Sequence, residues 1–174
     1  MRTIEPIVRW DVAFSVFCLK HRFSGQHATL SKAVSHTGDG HLYVLIALIA
    51  LLGDSKTGSH FFMVGLAAFV IELPIYWLAK NTLKRRRPAE FSSLLHSHIV
   101  PSDKYSLPSG HAAAAFVMAT LIGHFYPSLY PFSLVWATAI AGSRILLGVH
   151  FLTDVLIGAA LGMACTSLAI HLIL

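Results

Sequence analysis

Residues 155–174, VLIGAALGMACTSLAIHLIL, run for twenty positions without an acidic or basic side chain other than His171. A helix needs roughly 20 mostly apolar residues to cross the hydrocarbon core of a bilayer, so this stretch reads as membrane-spanning. Upstream, about 130–147 and 109–126 supply two more spans. Small residues at Ala112–Ala115 and Ala137–Gly142 suit them to close helix contact. Residues 61–79, FFMVGLAAFVIELPIYWLA, are nearly as long, although they contain Glu72 and Pro74. LYVLIALIALLG at 42–53 is short and reaches spanning length only by extending back to about Asp39. The expectation is an all-α, polytopic transmembrane helix bundle of five spanning helices. The short links at 54–59 and 126–131 predict antiparallel neighbours.

The composition agrees. Of 174 residues, 55% are hydrophobic and only 12% are charged, and mean hydropathy is +0.66. A soluble domain carries about 25% charged residues. We expect a single domain over 1–174, with interfacial helices in 1–38 and a transmembrane core in 39–174 that carries a catalytic loop, 81–107. Residues 5–23 mix Ile7, Val8, Trp10, Phe14 and Phe17 with Arg9, Asp11, Lys20 and Arg22, which predicts an amphipathic helix lying in the interface. A sixth span is the competing reading. Residues 26–37 predict a second short surface helix.

The net charge of +5 admits nucleic acid, a membrane surface or an anionic substrate as partner. The cations cluster at Lys80–Arg87 beside apolar segments rather than along a soluble stripe, which argues against nucleic acid. Cys18 and Cys165 are far apart in the pattern and form no CxxC, so neither a disulfide nor a zinc site is expected. The N-terminus has no continuous apolar run followed by a small-residue cleavage site, so no removable signal peptide is expected.

Three polar groups interrupt the apolar chain. Lys80 and Arg87 lie seven apart, two helical turns, and would share a face if the helix continued to Pro88. Ser109 and Gly110 open a helix directly after Pro108, where unpaired N–H groups and the helix dipole favour an anion. His111 follows in the first turn. His150 and Asp154, at i and i+4, would be neighbours on the last helix, so that the carboxylate takes one imidazole N–H and leaves the other nitrogen as a lone pair. Gly148 is expected to break the chain between Arg144 and His150. Alternating helices bring all these ends to one side of the membrane. The resulting inventory of cations, histidines, a carboxylate and free N–H groups suits phosphoryl transfer.

Lys80-x6-Arg87-Pro88, Pro108-Ser109-Gly110-His111 and Ser143-Arg144-x5-His150-x3-Asp154 resemble the three-part signature of the type 2 phosphatidic acid phosphatase superfamily, which includes bacterial acid phosphatases and vanadium haloperoxidases. The resemblance implies a metal-free lipid phosphatase without cofactor. His150 would form a phosphohistidine, Asp154 would orient it, and His111 would serve as acid and then base. Lys80, Arg87, Arg144, Ser109 and Gly110 would hold the phosphate oxygens. A lipid diphosphate of undecaprenyl type, phosphatidylglycerophosphate, phosphatidic acid or lipid A would be the substrate. Transfer to a lipid acceptor, or a non-enzymatic lipid-binding scaffold, are the alternatives.

Other polar residues carry weaker expectations. Lys84, Arg85 and Arg86 read mainly as membrane-flanking cations that snorkel to headgroups, with Arg86 also a secondary substrate contact. Glu72, a carboxylate inside a span, reads as a secondary site residue or a partner to a cation or polar group. Asp39 reads as a helix cap, and Gly158-x3-Gly162 as helix packing. His96 and His98 are candidates for the border of the substrate entrance. The resemblance implies a bacterial inner-membrane protein with its site facing the periplasm, whereas Lys84, Arg85, Arg86 and Lys104 on the motif side favour the cytoplasm.

Overall fold

The computed structural model describes residues 5–19, 24–54, 56–91 and 95–174. Every regular element among them is helical: α1 (Glu5–Leu19), α2 (Ser24–His36), α3 (His41–Gly53), α4 (Thr57–Leu83), α5 (Pro88–Phe91), α6 (Gly110–Phe125), a 3-10 turn (Pro127–Leu129), α7 (Tyr130–Leu146) and α8 (Leu152–Ile173). Four stretches are long and apolar enough to cross a membrane: Gln26–Gly53, Thr57–Phe91, Pro127–Leu146 and Leu152–Ile173. Their outward side chains, such as Leu45, Leu52, Val70, Trp77, Val135 and Leu156, are exposed, as lipid-facing positions are.

The fifth apolar helix, α6, has 16 residues, about 24 Å at 1.5 Å per residue. It is enclosed by its neighbours. It packs against α4, α7 and α8, and Ala112, Ala113, Ala115, Val117, Ala119 and Leu121 are all buried. Close approach is built from small residues. A Cβ at Gly158 would stand 2.4 Å from the Ser109 carbonyl oxygen, and one at Gly162 would stand 2.2 Å from that of Ala113. The glycine pair of α8 is therefore a seat for the α6 backbone, as expected.

The first span departs in detail. α3 begins at His41, not Asp39, because the chain turns through Thr37–Gly40 and Gly40 sits in the left-handed region at φ 100°. With 13 residues, α3 reaches spanning length only together with α2. That helix packs along α7, with Ser31 and Ser35 buried.

α1 is amphipathic in an inverted sense. Fifteen of its residues are described. Asp11 and Ser15 are buried against the bundle, whereas Ile7, Trp10, Phe14 and Phe17 face outward. A polar face docks on protein and an apolar face is left for lipid. Lys20 and Arg22 lie outside the described residues.

α4 also ends earlier than the spacing suggests. It stops at Leu83, where Lys84 adopts φ 47° and its N–H bonds back to the Lys80 carbonyl. Lys80 and Arg87 therefore do not share a helical face. Arg87 comes from the extended segment that follows, and Pro88 opens α5 rather than closing α4.

Candidate active site

The end of α4, the start of α6, the end of α7 and the start of α8 meet at one end of the bundle. Backbone bonds fasten them: Ser109 N–H donates to the Asp154 carbonyl at 3.0 Å, and His98 N–H to that of Leu147 at 3.0 Å. Ser106 N–H donates to the Arg85 carbonyl at 2.9 Å, tying the 95–109 loop to the basic segment.

Lys80 and Arg87 converge after all, but on a carboxylate from that loop. Asp103 Oδ2 accepts from Lys80 Nζ at 2.6 Å and from the Tyr76 hydroxyl at 2.7 Å. Asp103 Oδ1 accepts from Arg87 Nη2. Arg87 also donates from Nε and Nη2 to the Asp103 carbonyl, at 3.1 and 3.0 Å, and from Nη1 to the Val149 carbonyl at 2.5 Å. Burial pushes the Asp103 carboxyl up, but the bonds from Lys80 and Tyr76 and the Lys80 and Arg87 charges outweigh it and hold it below the usual carboxylate range.

Gly148, at φ 71°, turns the chain between α7 and α8, and the backbone of His96 packs against it. This turn sets His150 immediately before α8 rather than on it. His150 and Asp154 consequently do not stack as i, i+4 side chains of one helix. Asp154 Oδ2 caps the helix start by accepting from Phe151 N–H at 2.8 Å. It still lies 3.7 Å from His150 Nδ1, beyond hydrogen-bond reach. That nitrogen is buried with no hydrogen-bond partner among the described residues. Burial, only partly opposed by Asp154 and reinforced by Arg87 and Arg144, pushes His150 down to about 4. The imidazole is thus neutral at physiological pH, as a nitrogen nucleophile requires.

Arg144 is buried, donates to Ser35 Oγ at 2.5 Å, and leaves Nε without a partner among the described residues. His111 and Arg144 line a cavity of about 250 Å³ together with Lys32, Ser35, Asp39 and Ser102. Ser109 is the N-cap of α6, accepting from Ala112 N–H at 3.5 Å. At Gly110 a Cβ would touch the Tyr76 ring at 3.1 Å, so its small size serves packing as well as any ligand.

Several expectations need correction. Arg85 does not snorkel: Nη1 donates to Asp154 Oδ1 and to Thr153 Oγ1, both at 2.6 Å, and Nη2 to Asp11 Oδ2 at 2.6 Å. Asp39 does not cap α3, whose N-cap is Gly40 without a side-chain bond. Its carboxylate meets His111 and His36 instead. Arg86 is exposed and stacks over Phe91, 4.9 Å from the ring centroid, away from the Lys80–Arg87–Asp103 cluster. Glu72 is buried, but no cation or hydrogen-bond donor among the described residues meets it, because Lys80 turns to Asp103 and Tyr76. His96 and His98 contribute backbone contacts at the Gly148 turn. Asp11, Tyr76, Arg85 and Asp103 emerge as site residues that spacing alone does not mark.

Among the described residues, no three His, Cys, Asp or Glu side chains gather in a way that would hold a metal ion.

Residues 56–174 match the PAP2 superfamily. Over 133 residues the chain is 32% identical to decaprenylphosphoryl-5-phosphoribose phosphatase of Mycobacterium tuberculosis, spanning 76% of this chain and 72% of that protein. Bacillus subtilis phosphatidylglycerophosphatase B is 30% identical over 144 residues, 73% of this chain and 68% of the relative. Among solved structures, the transmembrane PAP2-type phosphatidylglycerolphosphate phosphatase of Bacillus subtilis superposes with a TM-score of 0.74 at 24% identity, covering 96% of this chain and 86% of that one. Aquifex aeolicus LpxE gives 0.75 at 20% identity, covering 93% and 95%. Both share the fold.

Proposed function

The chain belongs to the PAP2 superfamily, and from that premise we propose that it is an integral-membrane lipid phosphatase working through a phosphohistidine at His150, without a metal ion or cofactor. The reading rests on one observation above all: a neutral, buried imidazole lies beside Asp154 and within electrostatic reach of Arg87 and Arg144.

In the first half-reaction the His150 lone pair attacks phosphorus and the bond to the ester oxygen breaks. His111 gives that oxygen a proton. In the second half-reaction water attacks the phosphohistidine, His111 takes the water proton, and His150 leaves as a neutral imidazole. Asp154 orients His150, and Lys80, Arg87 and Arg144 stabilise charge on the phosphoryl oxygens. The N–H groups at Ser109 and Gly110 add donors at a helix start.

The substrate is a phosphomonoester or diphosphate of a lipid, because the site lies at the end of helices that face lipid. Relatives named for decaprenylphosphoryl-5-phosphoribose, phosphatidylglycerophosphate and undecaprenyl diphosphate define the panel to assay. Phosphate release from these lipids, with and without chelator, is the test. Release that survives chelator and is abolished by His150→Ala is expected. Full release by His150→Ala would overturn the phosphohistidine, and loss with chelator would overturn the metal-free route. Phosphate that appears on an added lipid alcohol, rather than free, would favour transfer.

The site is assigned to the periplasmic face of a bacterial inner membrane. Val100 is 93% exposed in the loop, so Val100→Cys in a background lacking Cys18 and Cys165 should react with an impermeant thiol reagent in intact spheroplasts. Reaction only after lysis would reverse the orientation.

A further inference from the structure

The site contains a second carboxylate–histidine pair. His111 Nε2 lies 2.8 Å from Asp39 Oδ1. The other oxygen, Oδ2, lies 2.7 Å from His36 Nδ1. Asp39 belongs to the turn between α2 and α3, and no helix start uses its carboxylate. Asp39 and His111 border the same cavity beside Arg144.

The charges around His111 come from several elements. Arg144 approaches from α7, Asp103 from the 95–109 loop, and Lys32 and His36 from α2. Burial above all, and then Arg144, disfavours an imidazolium at His111. Asp39 is the carboxylate in hydrogen-bond contact that offsets it. An ionised carboxylate can only accept, so the pairing keeps a proton on Nε2 and leaves Nδ1 as the nitrogen that exchanges protons.

We propose that Asp39 is the positioning residue of the acid–base histidine, fixing His111 so that Nδ1 alone trades protons with leaving group and water. The inference rests on the phosphatase reading above. As the N–P bond to His150 forms, the electron pair of the breaking P–O bond goes to the ester oxygen, which takes the Nδ1 proton. Water then bonds to phosphorus, its proton passes to Nδ1, and the N–P electron pair returns to His150. The Nε2 proton stays on the Asp39 hydrogen bond throughout. A carboxylate that holds one imidazole nitrogen so that the other acts is the arrangement of hydrolytic triads.

The test compares leaving groups in the purified full chain. An alkyl phosphate expels a basic alkoxide and needs the proton; a nitrophenyl phosphate expels a weakly basic phenolate and does not. First-turnover rates of Asp39→Asn should fall about 10–100-fold on the alkyl ester, within the usual range of general acid catalysis, and change less than about threefold on the nitrophenyl ester. Asp39→Glu, which keeps the carboxylate, should recover part of the alkyl rate. Equal losses on both esters, or no loss on either, would overturn the inference while leaving the phosphatase reading intact. A wild-type chain that cleaves neither ester would overturn that reading and the inference together. Unfolding midpoints of both variants identify a collapsed fold, and a collapse common to Asn and Glu would count against a positioning role.

Discussion

Arg85 Nη1 donates to Asp154 Oδ1 at 2.6 Å while Nη2 of the same guanidinium donates to Asp11 Oδ2 at 2.6 Å. One side chain from the basic segment thus bridges the carboxylate beside His150 to the N-terminal helix. Both carboxylates are essentially buried. Removing one partner of a buried ionic group costs about 3–5 kcal/mol. Arg85→Ala should therefore lower the unfolding midpoint strongly and cut turnover with it. Arg85→Lys, which has the charge but not the fork, should recover only part of both. Thermal unfolding and phosphate release check this.

Asp103 occupies Lys80, Arg87 and Tyr76 as a bound anion would. A phosphate that uses the same cations must displace it. Asp103→Asn removes the competing charge and should strengthen inhibition by orthophosphate about tenfold, the value of roughly one charge-assisted hydrogen bond. Its folded carboxyl is depressed, so the stability it contributes is complete above the unfolded carboxylate value, about 3.9, and is lost as pH falls through the lower folded value. Wild-type and Asp103→Asn midpoints should therefore converge below about pH 4.

His150 gives the opposite kind of pH signature for a histidine. Its folded value is pushed down to about 4, against about 6.5 in an unfolded chain. Between those limits the unfolded state binds the extra proton, so stability falls as pH drops from about 6.5 to about 4. The wild type should lose stability relative to His150→Gln across that window, and the two should run parallel above about pH 7. Unfolding midpoints at stepped pH measure it.

The Gly148 turn admits no side chain. Its φ of 71° lies in the left-handed region, and a Cβ would stand 2.3 Å from the His96 carbonyl oxygen. Conformation alone makes Gly148→Ala about 1–2 kcal/mol less stable, and the clash with backbone adds to it. Because Val149 and His150 follow directly, turnover should fall further than stability does. Comparing kcat with the fraction folded separates the two.

The sequence makes the apolar spans and the three motifs legible because each is local: a run of apolar residues, a glycine, a histidine at fixed spacing. The partners of those motifs are not local. Asp39 reaches His111 and Asp11 reaches Arg85 only through packing of distant helices. In the run of Lys84 to Arg87 nothing distinguishes Arg85, which turns inward, from Arg86, which turns out. The end of α4 is hidden for a similar reason: Pro88 signals a stop, yet the left-handed Lys84 ends the helix first. Asp11 did leave a trace, as a carboxylate set between Trp10 and Val12 in the middle of α1.

The seating of α8 glycines on α6 carbonyls has a mechanical corollary. Ser109 is bonded to Asp154 and pressed against Gly158, so the start of α6 and the start of α8 move as one piece. The loop bearing Asp103 is held instead to α4 and the basic segment through Lys80, Tyr76 and Arg87, and the helix bearing Ser35 to α7 through Arg144. The molecule is thus divided into an anvil, with His111 and Asp154 set in it, and fittings clamped around the anvil, and any adjustment to the size of a headgroup is left to the fittings.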